Sequence, residues 1–191
     1  SDKYGQAGSL GDKWARRLTA ILVNQVAGKR TPGGRLVIPG WFSWADTVRF
    51  GKSVKATPDG RHAFKAISHG ANPNPGFRKD GALSAAARAV AEIQPGYGST
   101  APWQLELDID LTYSSQAVDV IMALLEGHFN LGGTLVNINV IDGDTILKAH
   151  EQPEDYPDLV VRVTGFSAYF TSLSHDFRQL VVDRIIREAV S

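Results

Sequence analysis

The sequence contains no cysteine. That absence excludes a disulfide framework, thiolate metal sites and thiol catalysis within these 191 residues. Charge of one sign is also missing, because twenty basic and twenty acidic residues cancel. The electrostatic case for binding nucleic acid or an anionic membrane goes with it. No apolar run is long enough to span a bilayer, and the opening "SDKYGQAGS" is polar, unlike a signal peptide. A cytoplasmic protein with no membrane or nucleic-acid partner is expected. Internal repeats and low-complexity segments are absent as well.

What is present divides near residue 100. Residues 1–100 read as a helix followed by a long irregular segment, and 101–191 as alternating strands and helices, all within one domain. In "SLGDKWARRLTAILVNQVAG" the residues Leu10, Trp14, Leu18, Ile21, Leu22 and Val26 recur at helical spacing, and Gly28 marks the end. Residues 29–81 carry one turn signal after another, in "TPGG", "IPGW", "ATPDGR" and "NPNPG". A stretch of that length without regular structure is either functional or docked on a partner. "GALSAAARAVAEI" (81–93) is a helix of small residues suited to close packing.

The second part begins with "WQLELDID", which places Leu105, Leu107 and Ile109 on one strand face and Gln104, Glu106, Asp108 and Asp110 on the other. A helix follows in "SSQAVDVIMALLEGHF", capped by Ser114 or Ser115. Then come a strand in "GTLVNINVI", a short helix around 144–151 and a strand in "DLVVRVT". In the closing helix Ser174 is the expected N-cap and Asp176 lies in the first turn, with Phe177, Leu180, Val181 and Ile185 as the stripe. The alternation is that of an α/β fold.

Several motifs fail on inspection. "FGKS" (50–53) resembles a phosphate-binding loop, but Asp46 stands where its first glycine belongs. His62, His69, His128, His150 and His175 have no metal-ligand spacing and read as surface or capping residues, so no metal is expected. "DID" (108–110) and "DGD" (142–144) lack the rest of a calcium loop. Asn137 and Asn139 share one side of a strand whose other side carries Val136, Ile138 and Val140. Two readings stand for this pair: a solvated face, or amides that brace a loop or line a substrate cavity.

The remaining candidate is Gly165. "VVRVTGFSAYF" (160–170) has the β-branched and aromatic residues of a strand, interrupted by a glycine that on its own marks a bend. However, "RVTGF", preceded by "YPDL" and followed by "SAYF", "FRQ" and "VDR", resembles the C-terminal signature of glycyl radical enzymes, the pyruvate formate-lyase-like family. "FGKSVKATPDGRHA" (50–63) is similar to that family's Gly-Lys…Ala-Thr-Pro-Asp-Gly-Arg segment. "GGTLVNINVID", "LKAHEQPEDYPDLVVRV", "KYG" and "PGGRLVIPGWFS" also resemble it, in the family's order, so the likeness covers nearly the whole chain. Two stretches depart from the pattern. "SHGANPNPGFRKDGALSAA" replaces the usual Asp-Gly-x-Ser-Pro, and "FSAYF" follows the glycine in place of "YAV". The latter points away from pyruvate and toward the decarboxylase, dehydratase, sulfonate-lyase and arylalkylsuccinate-synthase branches.

The resemblance implies a fold and a role. The fold is the C-terminal part of a ten-stranded α/β barrel, with the glycine loop (160–170) near its centre. Gly165 is the catalytic residue and stores an unpaired electron on its α-carbon, with Arg162, Val163 and Phe166 as its neighbours in the loop. A planar α-carbon stabilised by the flanking amides wants no side chain, and glycine has none. Apolar flanks at Val161, Val163, Phe166 and Phe170 are expected to bury it. The radical is installed by a separate S-adenosylmethionine-dependent iron–sulfur activating enzyme, so no cofactor is bound here. It is then passed to a cysteine across roughly 3–3.5 Å, and the thiyl radical attacks a small-molecule substrate. Lacking cysteine, this chain is expected to work with a large cysteine-bearing catalytic subunit, either as a split subunit or as part of a longer polypeptide. An autonomous spare part that repairs oxygen-damaged enzyme is the alternative, and a non-enzymatic binding module the lesser one.

Overall fold

Ser9 and Asp12 cap each other to start the first helix, α1 (Leu10–Val26). The Ser9 hydroxyl accepts the Asp12 amide at 2.9 Å, and the Asp12 carboxylate accepts the Ser9 amide at 3.1 Å. This reciprocal arrangement satisfies two donors that a helix start otherwise leaves unpaired. The computed structural model describes residues 2–43, 46–74, 83–94, 101–108, 115–163 and 165–184. The expected cap Ser114, Ile109, Asp110, Ile185 and the end of "NPNPG" lie outside them, as does the side chain of Asp108. The helical spacing in α1 is correct, but its stripe faces outward: Leu10, Trp14, Leu18 and Ile21 are exposed, while Asp12 and Thr19 are buried.

The turn-rich segment contains an unexpected helix, α2 (Thr47–Ser53). It is pressed against the chain at Gly51, where a side-chain carbon would stand 2.3 Å from the Lys65 carbonyl oxygen. The "FGKS" motif is therefore helical, with its glycine serving close approach. Much of the irregular stretch docks on its own chain. Asn72 bonds both backbone groups of Gln104, at 2.9 Å each. The Trp41 indole donates to the Ile93 carbonyl at 3.0 Å, and the Tyr4 hydroxyl donates to the Ala71 carbonyl at 2.8 Å.

Helix α3 (Leu83–Ile93) buries five alanines, as its small residues predict. It packs against α4 (Ala117–Asn130), which crosses between two parallel strands, β1 (Trp103–Asp108) and β2 (Val136–Ile141). Gln116, not a serine, occupies the N-cap of α4, and its side chain makes no capping hydrogen bond. Val90, Ala101, Trp103, Leu105 and Leu107 centre this first core.

A second core follows. Asp142 caps α5 (Gly143–Glu151) by accepting the amides of Asp144 and Thr145, which accounts for "DGD". Strands β3 (Val160–Arg162) and β4 (Ser167–Tyr169) form an antiparallel hairpin, and α6 (His175–Arg184) closes over it. Ile146, Val161, Val163, Phe170 and Val181 fill the space between. Strand β3, the last strand of the alternation, pairs with β4 in a two-stranded sheet separate from that of β1 and β2. The fold is mixed α/β.

Candidate functional site: the glycine turn

The hairpin register pairs Arg162 with Ser167, and the Val163 amide donates to the Phe166 carbonyl at 2.9 Å. Gly165 therefore lies at the tip, and Thr164 is outside the described residues. Gly165 has φ +85°, the left-handed region in which a side chain is strained and glycine is not. Space is not the constraint, since among the described residues a side-chain carbon at Gly165 would meet nothing within 4 Å beyond its chain neighbours.

The turn has a buried foot and an exposed tip. Val161, Val163 and Phe170 are buried as expected, whereas Gly165 and Phe166 are exposed. The flanks therefore do not bury Gly165 within this chain: it extends beyond the core that Val161, Val163 and Phe170 enter. Arg162 is half-buried, and its Nη1 lies 3.5 Å from the Ser167 hydroxyl, too far for a firm bond.

Asn137 and Asn139 stand opposite Gln104 and Glu106 in the parallel register. Theirs is the less exposed side of the strand. Ile138 and Val140 are the exposed residues of β2, at 42% and 52%, while both asparagines are half-buried and Asn139 Nδ2 is buried without a partner. Parallel register brings Asn139 alongside Glu106, and Glu106 leads on to the turn. Its Oε1 lies 3.4 Å from Nη1 of Arg184, which donates to the Val163 carbonyl at 2.7 Å. The Arg184 and Glu106 side chains are only 8% and 5% exposed. Burial pushes the Glu106 carboxyl above the usual range, and the Arg184 charge and hydrogen bond oppose that rise. Breaking such a buried pair from one side typically costs about 3–5 kcal/mol.

Neither Glu106 nor Arg184 stands out in the sequence as a site residue. A signal exists for Arg184: it falls seven residues after Phe177 and four after Leu180, on the apolar stripe. A charge at a core position needs a partner.

Other motifs resolve as structure. "ATPDGR" is a turn braced by itself: Arg61 donates to the carbonyls of Lys55 and Lys65 at 2.6 and 2.7 Å, and Gly60 has φ +94°. It borders a groove of about 630 Å³ whose lining includes Lys52, Arg61, His175 and Asp176 but not Gly165, Asn137 or Asn139. His128 is a core residue and not a surface one. No cluster of potential metal ligands occurs among the described residues, and no described helix is long and apolar enough to cross a membrane.

Residues 67–171 match the family model described as "Glycine radical", which is more than half of the chain and includes the hairpin. The chain belongs to the glycyl radical family. It is 26% identical over 95% of its length to trans-4-hydroxy-L-proline dehydratase of Clostridioides difficile, of which it covers 23%. It is 32% identical over 75% of its length to formate acetyltransferase 1 of Escherichia coli, covering 20% of that protein. A solved glycyl radical enzyme from Archaeoglobus fulgidus superposes with a TM-score of 0.81 at 29% identity, over 97% of this chain and 24% of that one. The chain thus spans about a quarter of the length of the relatives it matches. Dehydratase and acetyltransferase relatives both fall within this range of identity.

Proposed function

We propose that this chain is the radical-bearing portion of a glycyl radical enzyme, with Gly165 as the residue that stores the radical. The observation that carries the reading is the place of Gly165: it tips an exposed hairpin turn, at a left-handed φ, and among the described residues nothing beyond its chain neighbours lies within 4 Å of a side-chain position. An activating enzyme has an open approach to the α-carbon, and a facing loop can come equally close. The "RVTGF" motif at this turn adds sequence support.

In this reading a separate S-adenosylmethionine-dependent iron–sulfur enzyme removes one α-hydrogen atom from Gly165. The glycyl radical then takes a hydrogen atom from a cysteine S–H, leaving a thiyl radical, and the hydrogen returns when turnover ends. This sequence has no cysteine, so the thiol belongs to a large catalytic partner or to another part of a longer polypeptide. The reaction is radical bond cleavage or formation on a small molecule, of the lyase or dehydratase kind. It is anaerobic and cytoplasmic, and neither nucleic acid nor membrane takes part. Asn137 and Asn139 are candidates for supporting the cavity side of β2.

The test is electron paramagnetic resonance on the chain after anaerobic activation in the presence of the cysteine-bearing partner. A carbon-centred doublet assigned to Gly165 is expected. No signal, or one that persists without Gly165, overturns the reading.

A further inference from the structure

The glycine turn is exposed, yet radical storage and transfer require its α-carbon to be held in place. Within the hairpin, the amide of Val163 is tied to Phe166 at 2.9 Å. From outside the hairpin, among the described residues, one side chain hydrogen-bonds to Val163, Gly165 or Phe166: Arg184, whose Nη1 donates to the Val163 carbonyl at 2.7 Å. That arginine is buried, lies at the last described position of α6, and is neutralised by Glu106 of β1, itself buried. A buried guanidinium is costly unless its charge and donors are matched. Here the match is made by one carbonyl of the turn and one carboxylate of the neighbouring sheet, while Nη2 stays buried without a partner.

We propose that Arg184 is a positioning residue of the glycine turn, clamping the Val163 carbonyl while Glu106 holds the guanidinium. The clamp joins three elements, β1, α6 and the hairpin, so the seat of Gly165 is fixed from a strand 59 positions earlier in the chain (165 minus 106). A lysine could neutralise Glu106 but offers a point charge in place of a fork. The functional meaning of the clamp rests on the reading of Gly165 as the radical site; its geometry does not.

Hydrogen exchange read by mass spectrometry tests it, on the full chain in the assembly in which it purifies. In Arg184→Ala, exchange at the Val163 amide is expected to rise about tenfold or more, while residues 83–94 in the first core keep their protection. Added guanidinium ion is expected to restore the turn. Unchanged exchange at the turn, or an equal rise in 83–94, overturns the proposal, since Arg184 is then an ordinary packing residue. Should Arg184→Ala fail to fold, Arg184→Lys carries the same comparison, with a smaller local rise expected and the same two overturning results. Because no radical is needed for this readout, a wild-type chain that never gives a glycyl signal sinks the proposed function without touching the clamp.

Discussion

The ring of His128 fills the space that a side chain at Gly133 would need: a carbon there would stand 2.2 Å from Nε2. The ring cannot easily yield. Its Nδ1 lies 2.9 Å from the Ala87 carbonyl, and Trp103 stacks against it with centroids 5.0 Å apart. Gly133→Ala is therefore expected to overpack the first core and cost about 1–3 kcal/mol. Urea denaturation compared with wild type checks this, and an unchanged midpoint counts against it.

The same histidine sets a pH dependence. A carbonyl only accepts, so Nδ1 carries the proton in the neutral ring, and Nε2 is buried without a partner. Charging the ring would bury an unmatched donor. Burial accordingly holds the His128 pKa below its ordinary value, opposed by the hydrogen bond to Ala87. As pH falls below about 6.5 the unfolded chain takes up this proton before the folded one. The contribution is full above that value and is lost as pH falls through the lower folded pKa. Wild type should lose more stability between pH 7.5 and 5.5 than His128→Gln; equal losses would refute the assignment.

Partnership is the next expectation. The described strands form two separate two-stranded sheets, and the apolar residues Leu10, Trp14, Leu18 and Ile21 of α1 are exposed. Unpaired strand edges and an uncovered apolar stripe favour association. The chain alone should aggregate or purify poorly and show no turnover, and stable one-to-one copurification with a cysteine-bearing chain should cure both. An active monomer would sink the idea, and exchange into an already complete enzyme would favour the repair role.

For the asparagine pair, Asn139→Leu is the informative change. Asn139 Nδ2 is buried and unpartnered, so its loss removes a desolvation penalty and stability should shift by less than about 1 kcal/mol. If the amide supports the radical site, radical yield or turnover should nonetheless fall. Thermal unfolding and spin quantification on the same sample separate the two, and unchanged activity would remove Asn139 from the site.

Much of this was readable in the sequence, for physical reasons that also mark where it stops. Helix α3 was legible because its alanines suit no other environment, and α1 because capping and spacing are local. Which face of α1 is covered depends on what lies outside the helix, and the exposed Leu10 and Trp14 follow from that. Strand β1 was legible by alternation, but alternation predicts a polar face in water. Gln104 and Glu106 are instead buried, Glu106 because the distant Arg184 reaches it. Helix α2 was hidden among turn signals, since its seven residues are too few to show a periodicity. A bend at Gly165 was legible from the glycine that interrupts the strand pattern; its exposure was not, because the reach of a turn beyond its core is a tertiary property.

The final prediction concerns Gly165 itself, and the turn geometry sharpens it. Under strict anaerobiosis, with partner and activating enzyme, the chain should give a radical signal split by the single remaining α-hydrogen. Gly165→Ala should abolish it, but an l-residue at φ +85° is also strained by about 1–2 kcal/mol, so that loss alone could reflect a distorted turn. Gly165→Asn separates the causes. Asparagine tolerates left-handed backbone better than alanine, so it should recover stability while giving no glycyl signal, because a side chain opposes a planar α-carbon. Air should cut activated wild type at Gly165, leaving a large fragment ending near Thr164 and a small one beginning near Phe166. Unactivated protein and both variants should stay whole. If Gly165 were only a bend, Gly165→Asn would keep both signal and activity. Cleavage at another residue would place the radical elsewhere.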